Sequence, residues 1–70
     1  MKKIGERIRY FRNKRGITQV QLADMTSIEQ TVISRYENGK IIPPISKLVI
    51  IARALEVDIS DLLKETEQSA

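Results

Sequence analysis

Apolar residues recur along this chain at the three-and-four spacing of helices with one buried face, and few positions favour strands. Ile4, Ile8 and Phe11 mark an amphipathic helix from Ile4 to Lys14. Gly16 ends it, since glycine tolerates the left-handed geometry of a turn, and Ile17 then plugs inward. Thr18 suits the N-cap of a second helix over about Gln19 to Met25, with Gln21 placed to complete a capping box and Leu22 and Ala23 facing the core. Thr26-Ser27-Ile28 makes a turn. Glu29 begins a third helix, its carboxylate suited to the positive helix end, and Asn38-Gly39 stops it. Ile33 and Tyr36 share the inner face of that helix with Val32 at the flank. Thr31, Ser34 and Arg35 lie opposite, and Gln30 projects from the first turn. Lys40 to Pro44 is a loop held by its two prolines. A fourth helix from Ile45 to Leu55 points Leu48, Ile51, Ala52 and Leu55 inward. Asp58 or Ser60 then caps a last short helix containing Ile59, Leu62 and Leu63. The pattern predicts an all-α chain of five helices, with one domain over residues 1–64 and a polar tail over 65–70.

At 70 residues the chain holds a single domain with a small core. It contains no cysteine and no histidine, which excludes disulfides and thiolate–imidazole zinc sites. No side chain of ordinary pKa titrates between pH 5 and 8. The longest apolar run, Leu48 to Ala52, is too short to span a bilayer, and Glu6, Arg7 and Arg9 interrupt any signal peptide. The expectation is a soluble, cytoplasmic protein with no membrane association, no cofactor and no metal. Enzymatic activity is not expected either, because no phosphate-binding glycine loop is present and the chain is short for a pocket.

The net charge of +3 is unevenly placed. Residues 1–16 carry seven basic side chains against Glu6 alone, an excess of +6, while residues 17–40 sum to −1 and residues 41–70 to −2. A concentrated positive end suits a polyanionic partner, although charge runs are ordinarily solvated helix faces.

An ordered set of motifs carries a more specific message: Gly16-Ile17-Thr18-Gln19, Leu22-Ala23, Ile33-Ser34-Arg35-Tyr36-Glu37-Asn38-Gly39-Lys40, and Ile51-Ala52-Arg53-Ala54-Leu55 after a proline. From Ile4 to Leu63 the chain resembles the Cro/repressor-type (lambda-repressor-like, XRE family) helix-turn-helix domains of bacteria and their phages. The resemblance implies a compact five-helix fold with the helix-turn-helix at helices two and three. Helix three would enter the major groove of double-stranded DNA while helix two crosses the phosphate backbone. Two positions depart from the family pattern. Ser27 stands where the inter-helix turn usually has glycine, so a positive φ there would be strained, and Glu56 stands where a small residue is usual.

On this frame Gln30, Thr31, Ser34 and Arg35 are the candidate base contacts. Gln30 is placed to pair with adenine N6 and N7, though an exposed glutamine is often simply solvated. Arg35 suits guanine O6 and N7 or a phosphate, and Thr31 and Ser34 are short enough for close groove approach. Val32 is read as packing, with a thymine methyl as the lesser alternative. Gln19, with Thr18, is carried over from the family as a backbone clamp, and Asn38 and Lys40 follow as further phosphate contacts. The resemblance pairs Arg12 with Glu37 in a structural salt bridge, whereas Arg7, Arg9, Lys14 and Arg15 are read as plain surface charges.

Ile50 points away from the core by helical spacing, and Ile41, Ile42 and Val49 also lack evident homes. These four are the candidates for a two-fold homodimer interface. The function expected is that of a sequence-specific transcriptional regulator, a repressor acting on a palindromic operator. The competing expectation is an antitoxin-like module that binds a protein partner and meets DNA secondarily. A controller of a restriction–modification operon is a variant of the first that the residues do not separate.

Overall fold

Ile8, Leu22, Ile33, Leu48, Ile51, Leu55 and Leu62 are almost wholly withdrawn from solvent, and between them they come from all five helices. Their burial is the main stabilising term of so small a domain. A computed structural model describes residues 2–64; the expected polar tail over 65–70 lies outside the described residues. The helices are α1 (Lys2–Lys14), α2 (Gln19–Thr26), α3 (Gln30–Glu37), α4 (Ile45–Leu55) and α5 (Ile59–Leu63). α1 packs on α3 and α5, α2 on α3 and α4, and α4 on α5. The fold is all-α and lambda-repressor-like, with the helix-turn-helix at α2 and α3. No helix among the described residues is long and apolar enough to cross a membrane.

Three helices end alike. At Gly16, Gly39 and Glu56 the chain turns left-handed, with φ of 73°, 75° and 60°. In each case the amide of the residue after the left-handed one reaches back: Ile17 to Arg12 O, Lys40 to Arg35 O, and Val57 to Ala52 O. α2 ends differently. Ser27 is left-handed at φ 59° and ψ 27°, and the buried Thr26 hydroxyl closes the turn. Thr26 Oγ1 donates to Leu22 O at 2.8 Å and accepts from the Ile28 amide at 3.3 Å, which drives Ile28 into the core. Both departures from the family pattern, Ser27 and Glu56, are therefore the non-glycine residues at positive φ among the described residues.

The third helix starts one residue later than the spacing suggested. Glu29 is its N-cap rather than its first helical residue, and the carboxylate makes no capping hydrogen bond. α1 in turn begins at Lys2, before Ile4. Gly5, a helix-interior glycine, lies where α1 crosses the end of α3. A Cβ there would overlap the Tyr36 carbonyl oxygen and stand 2.9 Å from Glu37 O.

Candidate nucleic-acid interface

The capping box at the start of α2 fixes how that helix meets α3. Thr18 Oγ1 accepts from the Gln21 amide at 3.0 Å, and Gln21 Oε1 accepts from the Thr18 amide at 2.8 Å. Gln19 follows directly, and its Nε2 donates to Glu37 Oε1 at 3.0 Å across to the end of α3. The start of α2 is thereby tied to the end of α3. Between them, Gln19, Gln30, Thr31, Ser34 and Arg35 line an open hollow of about 320 Å³. Gln30, Thr31 and Arg35 are exposed and Ser34 is half-buried. The four side chains chosen from helical spacing thus stand together on one outward surface, with no carboxylate among the described residues lining it.

Glu37 is the hub beneath that surface. Its side chain has no exposure, and Arg12 Nε donates to Oε2 at 2.6 Å while Arg12 Nη2 donates to Oε1 at 3.0 Å. Arg12 Nη1 also reaches Ile17 O at 2.9 Å, so one guanidinium holds α1, the turn after it and α3. Burial by itself pushes the Glu37 carboxyl up, and that is the largest single influence. The hydrogen bonds and charge of Arg12, with the hydrogen bonds of Gln19 and Arg9, outweigh it together and hold the carboxyl below the usual carboxylate range. The same bond raises Arg12 above its ordinary value against the effect of burial.

Four basic residues of α1 and the turn after it are not plain surface charges, and this corrects the sequence expectation. Arg9 Nη2 donates to Asn38 Oδ1 at 2.8 Å and Arg9 Nε to Glu37 Oε1 at 3.4 Å. Arg7 Nε donates to Asp61 O at 2.7 Å with its guanidinium 5.2 Å from the centre of the Phe11 ring. Arg15 pairs with Glu56 at 2.8 Å, and the Lys14 ammonium sits 5.7 Å from the Tyr10 ring centre. Much of the N-terminal charge is thus engaged by partners within the chain, joining α1 to α3, to α5 and to the end of α4.

Asn38 and Lys40 are exposed just past α3, but the Asn38 amide is already engaged by Arg9 and by Ser34. Ile41, Ile42, Val49 and Ile50 are all exposed, the first two on the loop before α4 and the last two on α4 itself. Ile50 lines a hollow with Met25, Arg53 and Ala54, and Val49 another with Ala52, Arg53, Val57, Asp58 and Ile59. Met25, half exposed at the end of α2, had no mark in the sequence to join it to this face. Among the described residues no group of acidic, histidine or cysteine side chains could hold a metal ion.

A family model described as helix-turn-helix matches residues 8–62. The cryptic phage CTXphi transcriptional repressor RstR of Vibrio cholerae is 42% identical over 60 residues, which cover 86% of this chain and 54% of that one. The chain therefore spans about half of that repressor's length. Control protein C.SmaI of Serratia marcescens is 32% identical over 60 residues, covering 86% of this chain and 71% of that one. The N-terminal DNA-binding domain of SinR from Bacillus subtilis superposes with a TM-score of 0.88 at 26% identity, covering 97% of this chain and all 100% of that domain. With the five-helix fold and the ISRYENGK segment in place, these likenesses identify the chain as a member of the helix-turn-helix family, of the Cro/repressor (XRE) type.

Proposed function

We propose that this chain binds double-stranded DNA by sequence, as a homodimeric transcriptional regulator that represses from a roughly palindromic operator. The observation that carries the proposal is the shared hollow of Gln19, Gln30, Thr31, Ser34 and Arg35: polar, outward-facing and free of carboxylate lining. A helix with such an outward polar surface suits the width of a major groove and the hydrogen-bonding edges inside it. Gln30, Thr31, Ser34 and Arg35 read bases. Thr18, Gln19, Asn38 and Lys40 hold phosphates and set the register. Gln19 still has its amide oxygen and one N–H to spare after bonding Glu37. Arg12 and Glu37 keep α1 and α3 in register and touch no DNA.

Two copies joined through α4 would present their third helices about 34 Å apart, one turn of the double helix. Val49 and Ile50, with Ile41 and Ile42 on the preceding loop, supply apolar surface for that contact. The printed names of the relatives, a phage repressor and a control protein, favour regulation as the use of such binding.

Selection of bound sequences from a random double-stranded pool tests the proposal. An enriched motif with two-fold symmetry is the expected result. Enrichment of nothing, together with a protein that co-purifies and binds without DNA, would replace this reading by the antitoxin-like one.

A further inference from the structure

The Asn38 side chain stands between two partners that dictate which way its amide faces. Arg9 Nη2 approaches to 2.8 Å, and a guanidinium can only donate, so Asn38 turns its oxygen toward Arg9. Its nitrogen consequently faces Ser34 and donates to Oγ at 3.4 Å. Ser34 thus receives a hydrogen bond and keeps its own hydrogen. Serine and threonine within helices commonly turn that hydrogen back onto the carbonyl four residues earlier. Thr26 does so, onto Leu22 O at 2.8 Å. Ser34 makes no such bond among the described residues, where its hydroxyl has Asn38 as its side-chain partner. It also lines the open hollow beside Gln30 and Thr31.

Resting on the DNA-binding reading above, we propose that Arg9 and Asn38 polarise the Ser34 hydroxyl into a hydrogen-bond donor toward the base edges. The relay runs in one direction: Arg9 donates to Asn38, Asn38 to Ser34, and Ser34 outward. A donor at that point favours an acceptor on the base, such as guanine O6 or N7, adenine N7 or thymine O4. It disfavours the amino group of cytosine. Arg9 touches no base. It is a positioning residue, held against α3 by bonds to Glu37 O and Glu37 Oε1, each at 3.4 Å. Its place in the basic N-terminal run concealed this, because the run reads as a uniform charged face.

Asn38→Asp gives the sharpest test. An aspartate has no N–H to donate, so it would accept from Arg9 and also from Ser34, drawing the Ser34 hydrogen inward. The Ser34 lone pairs would then face the groove and favour an amino group there. The experiment is selection from a random double-stranded pool, run on the full chain and on Ser34→Ala, Asn38→Asp, Arg9→Ala and Arg9→Lys, with thermal melting to verify folding. The wild type should prefer an acceptor-bearing base at one position per half-site. Ser34→Ala and Arg9→Ala should relax that position by roughly three- to tenfold, the scale of one neutral hydrogen bond. Arg9→Lys, still a pure donor, should keep the preference, and Asn38→Asp should move it toward cytosine, whose major-groove edge offers a donor and no acceptor. A Ser34→Ala profile identical to wild type at every base pair would overturn the relay and leave DNA recognition intact. So would an Asn38→Asp protein that binds all sequences less well with its preference unchanged. Failure of the wild-type chain to enrich any sequence would overturn both the relay and the reading it rests on.

Discussion

Gln19 Nε2 and Glu37 Oε1 lie 3.0 Å apart, although one residue opens α2 and the other closes α3. The same carboxylate takes two bonds from Arg12 and a longer one from Arg9. Its charge is buried with near-complete compensation, and removing it would leave the largely buried Arg12 guanidinium unpaired. Glu37→Ala should therefore cost about 3–5 kcal/mol. That approaches the whole stability of a small domain, about 5 kcal/mol at the lower end. Chemical denaturation of the variant should show a transition moved to low denaturant, with about 0–2 kcal/mol of stability left to a domain that starts near about 5 kcal/mol.

The same site sets a pH dependence. Folding lowers the Glu37 pKa, so the native state binds its proton less readily than the unfolded chain does. The stability this contributes is complete above the unfolded value of about 4.3 and is lost as pH falls through the lower folded value. Wild-type stability should fall as the medium is acidified below that point. Glu37→Gln, already neutral, should be less stable at neutral pH and show a shallower acid slope in urea titrations. An unchanged slope would mean that Glu37 is not the group responsible.

Gly5 admits no side chain because the obstacle is backbone, the Tyr36 and Glu37 carbonyls at the end of α3. Alanine is worth about 1 kcal/mol more than glycine in a free helix. Here overpacking opposes that gain, and such insertions cost about 1–3 kcal/mol. Because α1 and α3 cannot separate without breaking the Arg12–Glu37 pair, the steric cost should win. Gly5→Ala should melt several degrees lower, at roughly 4–8 °C per kcal/mol for a domain of this size. A higher melting point would show that α1 can tilt away freely.

Ser27 and Glu56 share a left-handed backbone but differ in what holds them there. A left-handed conformation costs a non-glycine residue about 1–2 kcal/mol, and glycine gives back about 0.5–1 kcal/mol through its unfolded-state entropy. Among the described residues Ser27 forms no side-chain bond that would be lost, and the Thr26 hydroxyl closes its turn. Ser27→Gly should thus stabilise by about 0.5–1 kcal/mol. Glu56→Gly relieves the same strain but removes the pair with Arg15, an exposed contact worth about 0–1 kcal/mol. Its gain should be smaller, and paired melting curves would resolve the order.

How much of this was legible beforehand depended on how local the cause was. Gly16, the Thr18–Gln21 box, the Asn38-Gly39 stop and the prolines before α4 act within a few residues, and each placed its element closely. The outward group on α3 followed from helical angle alone. Arg7, Arg9 and Arg15 could not be read in this way, because their partners stand 54, 28 and 41 positions along the chain. Only the crossing of α1 with other elements brings those groups together. Gly5 did leave a signal, a glycine inside an otherwise helical pattern, which usually marks close packing. Glu29 misled for a different reason. A carboxylate suits a helix start electrostatically whether it sits at the cap or just inside, so charge alone did not fix the boundary.

Ile50 and Gln30 separate assembly from recognition, since they lie on different faces and line different hollows. Ile50→Lys should shift sedimentation toward monomer if α4 forms the two-fold contact, and a dimer of undiminished stability would move that contact elsewhere. On a palindromic operator the monomer should bind each half-site with its sequence preference intact. Gln30→Ala should leave sedimentation unchanged, cost about 1–3 kcal/mol on the selected operator and relax one base position. Lys40→Ala should weaken every sequence alike and reduce the salt slope by about one. The three variants thus report three quantities: oligomeric state, base preference and the number of neutralised phosphates. Were Gln30→Ala to lose affinity equally on all sequences, Gln30 would have to be reassigned from base contact to phosphate contact, and the leading end of α3 would lie across the backbone rather than within the groove.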